Sequence, residues 1–294
     1  MPRSVPDAVQ ETVTQAVDKA GAASRPVGYL TSSALAGAYV GVAVVLLISV
    51  SAPLAAAGSP VTKLVQGAVF GLALILVVFA GGELFTGNVM VMAQGLTRRT
   101  VGLRALGRVG GLSLAGNAVG SLVLAAAVHG SGVLQTGKGP DGTAPGLRLL
   151  ATIVQGKVDA TEPQLFWRAV LCNALVCLAL WMATRATTDG AKLMVLWWGL
   201  LAFIGSGFEH SIANITTFTL AALNEVGAWS DLTDNLVWTI PGNVVGGVFV
   251  ALAYIWSTRR TDGAPLSPPE AGRPPAVPAP DPSLAAGGRT GQAQ

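Results

Sequence analysis

Residues 207–214 read GFEHSIAN and interrupt one of the most apolar stretches of the chain. The run LWWGLLAFIGS precedes them and ITTFTLAAL follows, so Glu209 and His210 lie where a membrane-spanning helix would otherwise continue. A glycine and polar side chains within such a run predict a helix that stops and restarts. Irregular backbone at membrane depth is tolerated only where it is buried in protein or lines a cavity. The stretch therefore predicts a pore.

The composition of the chain indicates a membrane protein. Of its 294 residues, 51% are hydrophobic and 11% are charged, whereas about a quarter of the residues in a soluble domain are charged. The net charge of +3 is spread over loops and tails, which is not the pattern of a nucleic-acid-binding protein. Cys172 and Cys177 lie in one apolar segment and are interpreted as core residues rather than as a disulfide or a metal site.

Six apolar segments predict an all-α membrane protein with six transmembrane helices. Crossing roughly 30 Å of hydrocarbon takes about 20 residues. The second and fifth segments are too long for one span, and each contains glycine and polar residues, GGELFTGN at 81–88 and GFEHSIAN. We therefore predict that the second and fifth helices are broken and that their loops face each other across a pore. The segments lie at about 32–56, 61–96, 106–130, 164–184, 190–224 and 234–257.

An internal repeat supports this arrangement. When the sequence is aligned with itself at an offset of 126 residues, GNAVGS at 116–121 matches GNVVGG at 242–247. The two halves, at about 29–130 and 162–257, each contain three predicted spans, so they insert with opposite orientation. This is an aquaporin-like inverted repeat, whose site is expected near the membrane midplane, where the broken helices meet. The same offset aligns Gly81 with Gly207, Glu83 with Glu209, and Asn88 with Asn214.

The flanks of the predicted transport domain, which spans 29–257, differ in character. Lys and Arg concentrate on one side of the predicted spans, which places both termini in the cytoplasm. Residues 1–28 are predicted as a cytoplasmic amphipathic helix, because valine recurs every fourth residue from Val5 to Val17. This helix either packs against the bundle or gates it. Residues 258–294 are rich in proline and are predicted to be a disordered cytoplasmic tail.

Glu83 and Glu209 are the acids within the predicted spans, and an ionisable residue inside a membrane is a functional candidate. The repeat favours a structural role for both, because each half needs the same loop anchor. A carboxylate beside a glycine turn can accept backbone N–H bonds and hold the loop in shape. We therefore predict that both glutamates, with the repeated Asn88 and Asn214, are loop anchors.

His210 departs from the repeat, because its counterpart is Leu84. Two interpretations stay open for it: a buried histidine with satisfied hydrogen bonds, or a proton donor or relay in the pore, a role suited to a side chain that titrates near neutral pH. No second histidine or cysteine accompanies it in the sequence, so no metal site is predicted. Thr86 in the opposing loop can hydrogen-bond the ring or cap the half-helix that follows.

Further features point to an anion. The half-helices predicted to begin near Asn88 and Ser211 direct their partly positive N-termini toward the midplane. Lys157, in the loop before the fourth span, either attracts anions to the pore mouth or is an ordinary solvated lysine. Large apolar side chains that flank the loops either form constrictions or pack in the bundle; they are Phe70, Leu74, Phe85 and Phe203.

At GGELFTGN, GFEHSIAN, CNALVCLALWMA (172–183) and GNVVGGVFVALAYIW (242–256) the chain closely resembles the formate/nitrite transporter family. The resemblance covers about residues 25–257. It implies a six-helix, aquaporin-like protomer that assembles as a homopentamer with one pore in each protomer. It also implies passage of small monovalent anions of weak acids: formate, nitrite, hydrosulfide or short carboxylates.

The resemblance also implies roles for individual residues. His210 is the central histidine, Thr86 the loop threonine that contacts it, Asn173 the pore asparagine of the fourth span, and Lys157 the vestibule lysine. The apolar slits map onto Phe70 and Phe203 on the outer side and onto Leu74, Leu84 and Phe85 on the inner side.

The leading hypothesis is a proton-linked transporter or channel for small anions in the cell inner (plasma) membrane. Nitrite is preferred because LFTGN suits nitrite-handling members of the family, and formate comes next; a formate or hydrosulfide channel is the alternative. The expected partners are the anion, protons, the lipid bilayer and copies of the same chain, with no cofactor, metal or nucleic acid. A membrane enzyme that uses Glu209 and His210 as an acid–base pair is disfavoured, because the spans offer no nucleophile or metal. A neutral-solute pore is disfavoured because no NPA motif occurs.

Overall fold

The computed structural model describes residues 1–139 and 142–258. The predicted disordered tail, apart from its first residue, lies outside the described residues. Within the described part, every regular element is a helix and there is no β-strand. The prediction of an all-α protein is therefore confirmed.

The described residues form eleven α-helices in chain order. A π-helical turn, Leu76–Gly81, follows α4, so Thr62–Gly81 forms one helical stretch. A short 3-10 turn, Val133–Gln135, follows α6. The helices are α1 Val5–Ala22, α2 Pro26–Ala56, α3 Thr62–Phe70, α4 Leu72–Ile75, α5 Phe85–Thr97, α6 Leu103–Ser131, α7 Pro145–Val158, α8 Glu162–Arg185, α9 Asp189–Gly205, α10 Ser211–Leu223 and α11 Trp229–Ser257.

Five helical stretches among the described residues are long and apolar enough to cross a membrane. The region predicted as the fifth span is divided between α9, with 17 residues, and the apolar α10, with 13. Neither of these helices alone has the length of a membrane span. The five stretches are Pro26–Ala56, Thr62–Gly81, Leu103–Ser131, Glu162–Arg185 and Trp229–Ser257.

The first helical stretch ends at the repeated Gly81, and α9 ends at Gly205, two residues before the repeated Gly207. Gly81 has φ 85° and Gly207 has φ 74°, a left-handed conformation that glycine adopts without steric cost. Three non-helical residues follow each glycine, and the chain then becomes helical again at Phe85 and Ser211. The sequence prediction for the second of these helix starts was correct, and the first lies three residues before the predicted Asn88.

Glycines allow the longest helices to approach each other closely. The helix α2 packs along α6, and α8 packs along α11. A Cβ atom at Gly120 would overlap the backbone carbonyl of Ala34, and one at Gly246 would overlap the carbonyl of Val170. Gly120 and Gly246 are separated by the 126 residues of the repeat. Both halves therefore use the same glycine contact, of the kind that drives helix association in membranes.

The helix α7 was not predicted, because the sequence analysis treated this region as a loop. It buries apolar side chains along one side, including Leu149, Leu150 and Val154, and it carries Lys157 in its last turn. The predicted helix α1 likewise has a buried face and carries Lys19 in its last turn. Two surface helices therefore precede α2 and α8, and each carries a lysine in its last turn.

Replacing Gly120 by Ala should lower the thermal midpoint of the detergent-solubilised protein, because the added methyl group pushes α6 away from α2 at a cost of about 1–3 kcal/mol. Gly111→Ala on the same helix is the matched control, since nothing lies within 4 Å of a Cβ atom there. Size-exclusion chromatography after heating measures both midpoints. Equal midpoints for the two variants would contradict the close packing of α2 and α6.

Candidate functional site

The two interrupted helices meet at Thr86 and His210. The distance between Thr86 Oγ1 and His210 Nε2 is 3.0 Å, and both side chains are buried. The ring also caps α10, because the backbone N–H of Ala213 donates to His210 Nδ1 at 3.2 Å. A neutral imidazole has one donor and one acceptor nitrogen. Since Nδ1 accepts, Nε2 carries the hydrogen and donates to Thr86.

The Glu209 carboxylate is held by two donors. Lys157 Nζ and Asn214 Nδ2 both lie 2.7 Å from Glu209 Oε2. Asn214 Nδ2 also donates to Asn235 Oδ1 at 2.7 Å. The Glu209 side chain is 4% exposed, and a carboxylate at this depth needs a cation and hydrogen bonds to remain charged. Lys157 is therefore the ion-pair partner of a buried acid and not a freely solvated loop residue.

Glu83 has an equivalent environment in the other half. Its Oε2 atom accepts hydrogen bonds from Lys19 Nζ at 2.6 Å, from the Tyr29 hydroxyl at 2.9 Å, and from Asn88 Nδ2 at 3.0 Å. In both halves, therefore, the glutamate accepts a hydrogen bond from the asparagine five positions later. The sequence analysis missed Lys19 and Tyr29. The available signal for Lys19 was its place near the end of the amphipathic helix that precedes a span.

Two asparagines satisfy the backbone where the helices restart. Asn117 Oδ1 accepts the N–H of Phe85 at 2.8 Å, and its Nδ2 donates to the Glu83 carbonyl at 2.9 Å. Asn243 Oδ1 accepts the N–H of Ser211 at 2.9 Å, and its Nδ2 donates to the Glu209 carbonyl at 3.0 Å. From the sequence, the glutamate carboxylates were predicted to accept backbone N–H bonds. In the structure the glutamates bind side chains, and these asparagines bind the backbone.

The repeated motifs GNAVGS and GNVVGG contain Asn117 and Asn243. The sequence analysis identified the repeat but assigned no role to either asparagine. The buried Asn173 also binds backbone, since its Nδ2 donates to the carbonyls of Thr86 at 3.1 Å and Asn243 at 2.6 Å. Asn173 therefore connects the first turn of α5 to α11.

The apolar residues predicted to form slits are all buried. The rings of Phe70 and Phe203 meet edge to face with centroids 5.6 Å apart. The Phe203 ring also stacks on the His210 ring at 5.9 Å. The other three predicted slit residues are buried as well: Leu74, Leu84 and Phe85.

Two cavities approach these buried residues. One has a volume of about 620 Å³ and is lined by residues that include Lys157, Phe203 and His210; we call it the Lys157 cavity. The other has a volume of about 470 Å³ and is lined by residues that include Lys19 and Leu84; we call it the Lys19 cavity. No described residue lines both cavities, and Leu74, Phe85 and Thr86 line neither. A buried, largely apolar region therefore separates them.

Comparison with known proteins gives consistent matches. The sequence profile of the family described as formate/nitrite transporter matches residues 6–256. The chain is 38% identical over 259 residues to the nitrite transporter NirC of Salmonella typhimurium, covering 85% of this chain and 91% of that protein.

Solved structures are similar to this chain over nearly their whole length. A structure described as an FNT family ion channel has a TM-score of 0.78 and 36% identity, covering 86% of this chain and 99% of that one. A structure described as a pentameric formate channel with formate bound has a TM-score of 0.65 and 26% identity, covering 80% and 98%.

Replacing Asn243 by Ala should destabilise the protein strongly, because it leaves the Ser211 N–H and the Glu209 carbonyl without partners, at about 1–3 kcal/mol for each buried group. Ser211→Ala is the matched control at the same helix start, since the buried Ser211 Oγ has no hydrogen-bond partner among the described residues. Thermal midpoints in detergent measure the difference. If Asn243→Ala and Ser211→Ala have the same thermal midpoint, Asn243 does not hold the loop.

Proposed function

The chain belongs to the formate/nitrite transporter family, whose members carry small anions rather than catalyse reactions, and we propose that it carries nitrite first and formate next. The similarity to the nitrite transporter NirC over 91% of that protein supports nitrite. The similarity to a formate-bound channel supports formate. Both are small, planar, monovalent anions of weak acids.

The proposed architecture has six spans in an inner-membrane protein with both termini in the cytoplasm. In it, Thr62–Gly81 with α5 forms the second span, and α9 with α10 forms the fifth. The inverted repeat of residues 29–130 and 162–257 is supported by the matching hydrogen bonds of Asn117 and Asn243, which lie 126 residues apart. The pentameric state of the formate channel supports a homopentamer with one pore in each protomer.

The transport mechanism that we propose rests on one observation: the Thr86–His210 contact lies between two cavities separated by buried apolar side chains. The desolvation free energy of a bare anion in an apolar region is large, whereas that of its neutral conjugate acid is far smaller. Protonation between Phe203 and the inner slit therefore lowers the barrier. The neutral acid then crosses the slit of Leu74, Leu84 and Phe85 and dissociates in the Lys19 cavity.

His210 is the proposed proton donor, and its hydrogen bonds define the order of events. The neutral ring can donate a hydrogen bond from Nε2 to an anion in place of Thr86. Transfer of a whole proton requires the ring to gain one at Nδ1, and that position faces the Ala213 N–H. We therefore expect the Ala213 contact to open as the ring takes up a proton. The Nε2 proton then passes to the anion, which leaves the ring with its hydrogen on Nδ1.

Replacing His210 by Asn should abolish the dependence of nitrite uptake on pH while the oligomer stays folded. Asparagine is a good helix N-cap and can replace Nδ1 as the acceptor at the start of α10, but it does not titrate. Wild-type uptake into proteoliposomes should rise as the pH falls, because protonation of the ring supplies the proton that the anion accepts. At the acidic end the variant should be slower by at least about tenfold, as after loss of a positioned proton donor.

Ser211→Ala is the control for the His210→Asn variant, because it changes the adjacent residue without removing the imidazole. It should show wild-type uptake at every pH. A His210→Asn variant with the pH profile of the wild type would exclude the relay, provided that its thermal midpoint is unchanged.

A substrate panel tests the choice of anion. Wild-type proteoliposomes should take up nitrite and formate faster than acetate, because the aromatic pair Phe70 and Phe203 favours the smaller planar anions. The measurement compares initial rates for nitrite, formate, hydrosulfide and acetate across pH, with protein-free liposomes as the baseline. If hydrosulfide is taken up fastest, the choice of nitrite is wrong. If all four anions enter at the rate of protein-free liposomes, the chain does not transport these anions.

A further inference from the structure

The two cavities differ in how their cationic side chains are paired. In the Lys19 cavity, each of the three lining cations has an acidic partner within ion-pair distance. The positive charges on that side are therefore balanced locally. The pairs are Lys19–Glu83 at 2.6 Å, Lys192–Asp189 at 3.2 Å and Arg3–Glu11 at 3.6 Å.

In the Lys157 cavity, the cationic side chains are not all paired with acids. Its lining includes the cations Lys63, Lys157 and Arg168 and one carboxylate, that of Glu209. Lys157 is paired with Glu209 at 2.7 Å. Within residues 1–139 and 142–258, the side chains of Lys63 and Arg168 make no ion pair and no hydrogen bond. The Arg168 side chain acts on the Glu209 carboxylate only through its charge at longer range. The lining of this cavity therefore carries two uncompensated positive charges.

The ion pair changes which residue attracts the anion. Lys157 and Glu209 form a dipole whose field falls off faster with distance than the field of a lone charge. Lys63 is exposed on the surface, where salt screens its charge. Arg168 is half-buried in the cavity wall, where screening is weaker. The unpaired charge closest to the pore is thus that of Arg168.

Three other acids near Lys157 do not line the Lys157 cavity. Glu162, Asp231 and Asp234 line a smaller cavity beyond Lys157, whose lining includes neither Arg168 nor His210. These carboxylates therefore lie outside the Lys157 cavity, and none of them is an ion-pair partner of Arg168.

Arg168 also breaks the symmetry of the repeat. The N–H of Glu209 donates to the Arg168 carbonyl at 3.3 Å, and the N–H of Glu83 donates to the Ser32 carbonyl at 3.3 Å. The two residues thus hold equivalent positions beside the two loops. One half has a guanidinium there and the other half has a hydroxyl. The scaffold itself does not require the positive charge.

We propose that Arg168, and not Lys157, captures the anion in the Lys157 cavity, and that anions consequently bind more tightly from this side than from the Lys19 side. The inference rests on the proposed anion transport. A guanidinium offers a planar pair of N–H donors that matches the two oxygens of nitrite or formate. It can bind them because no protein carboxylate occupies it.

A cysteine reporter tests the charge of the cavity without transport. The native Cys172 and Cys177 are buried, so thiol reagents react with an introduced cysteine. Thr152 lines the Lys157 cavity and is exposed. In Thr152→Cys, the ratio of reaction rates of a sulfonate-bearing to a trimethylammonium-bearing methanethiosulfonate should exceed that of a free thiol. Adding Arg168→Gln should lower the ratio by about three- to tenfold, the scale on which one focused charge alters local ion concentration.

Three variants control this measurement. Lys63→Gln in the same reporter should lower the ratio less than Arg168→Gln, because the Lys63 charge is exposed. Arg168→Lys should restore most of the ratio, which separates charge from structure. Gln15→Cys reports on the Lys19 cavity and should show a weaker preference for the anionic reagent. An unchanged ratio in Arg168→Gln, or an equal preference in the two cavities, would overturn the inference.

Uptake measurements connect the charge to transport. Arg168→Gln should raise the half-saturating nitrite concentration from the Lys157 side by about three- to tenfold, with little change in maximal rate. The increase should shrink at high ionic strength. A reduced maximal rate with unchanged half-saturation would overturn anion capture by Arg168. Failure of the proposed function would give another result. The wild type would then move neither nitrite nor formate, although the reporter ratio would still fall in Arg168→Gln.

Discussion

Where a helix begins or ends inside an apolar bundle, its unpaired backbone groups must find hydrogen-bond partners. This constraint governs the starts of α5 and α10. Asn117 and Asn243 meet it by accepting the first N–H of α5 and α10 and donating to the glutamate carbonyls before them. With those ends fixed, the loop side chains acquire defined positions. The 3.0 Å contact of Thr86 with His210 lies between these two helix starts.

The repeat separates scaffold from function. Residues with equivalent partners in both halves, such as Glu83 with Lys19 and Glu209 with Lys157, hold the loops against the surface helices. Residues that differ between the halves supply what the scaffold does not need. His210 stands opposite Leu84 in the repeat, and Arg168 occupies the place that Ser32 holds in the other half. The chemistry that we propose for the pore rests on these asymmetric residues.

Much of this arrangement was predictable from the sequence. The two helix breaks follow from Gly81 and Gly207 within long apolar runs, and the repeat assigned the same loop role to both glutamates. The helix α7 was missed because its apolar face is short and separated from the spans. The role of Asn243 was missed as well, because an asparagine in a helix gives no sign of which distant backbone groups it will bind.

The sequence by itself determined the membrane class, the all-helical fold, the helix ends near Gly81 and Gly207 and the family, because hydrophobicity, glycine placement and motif spacing are properties of neighbouring residues. The tertiary structure decided which charges are paired. Lys157 meets Glu209 across 52 positions of sequence, and Lys19 meets Glu83 across 64, whereas Arg168 meets no carboxylate within ion-pair distance in the described part of the chain. A charge attracts an anion only when no nearby acid neutralises it, and that depends on distances that only the folded chain defines.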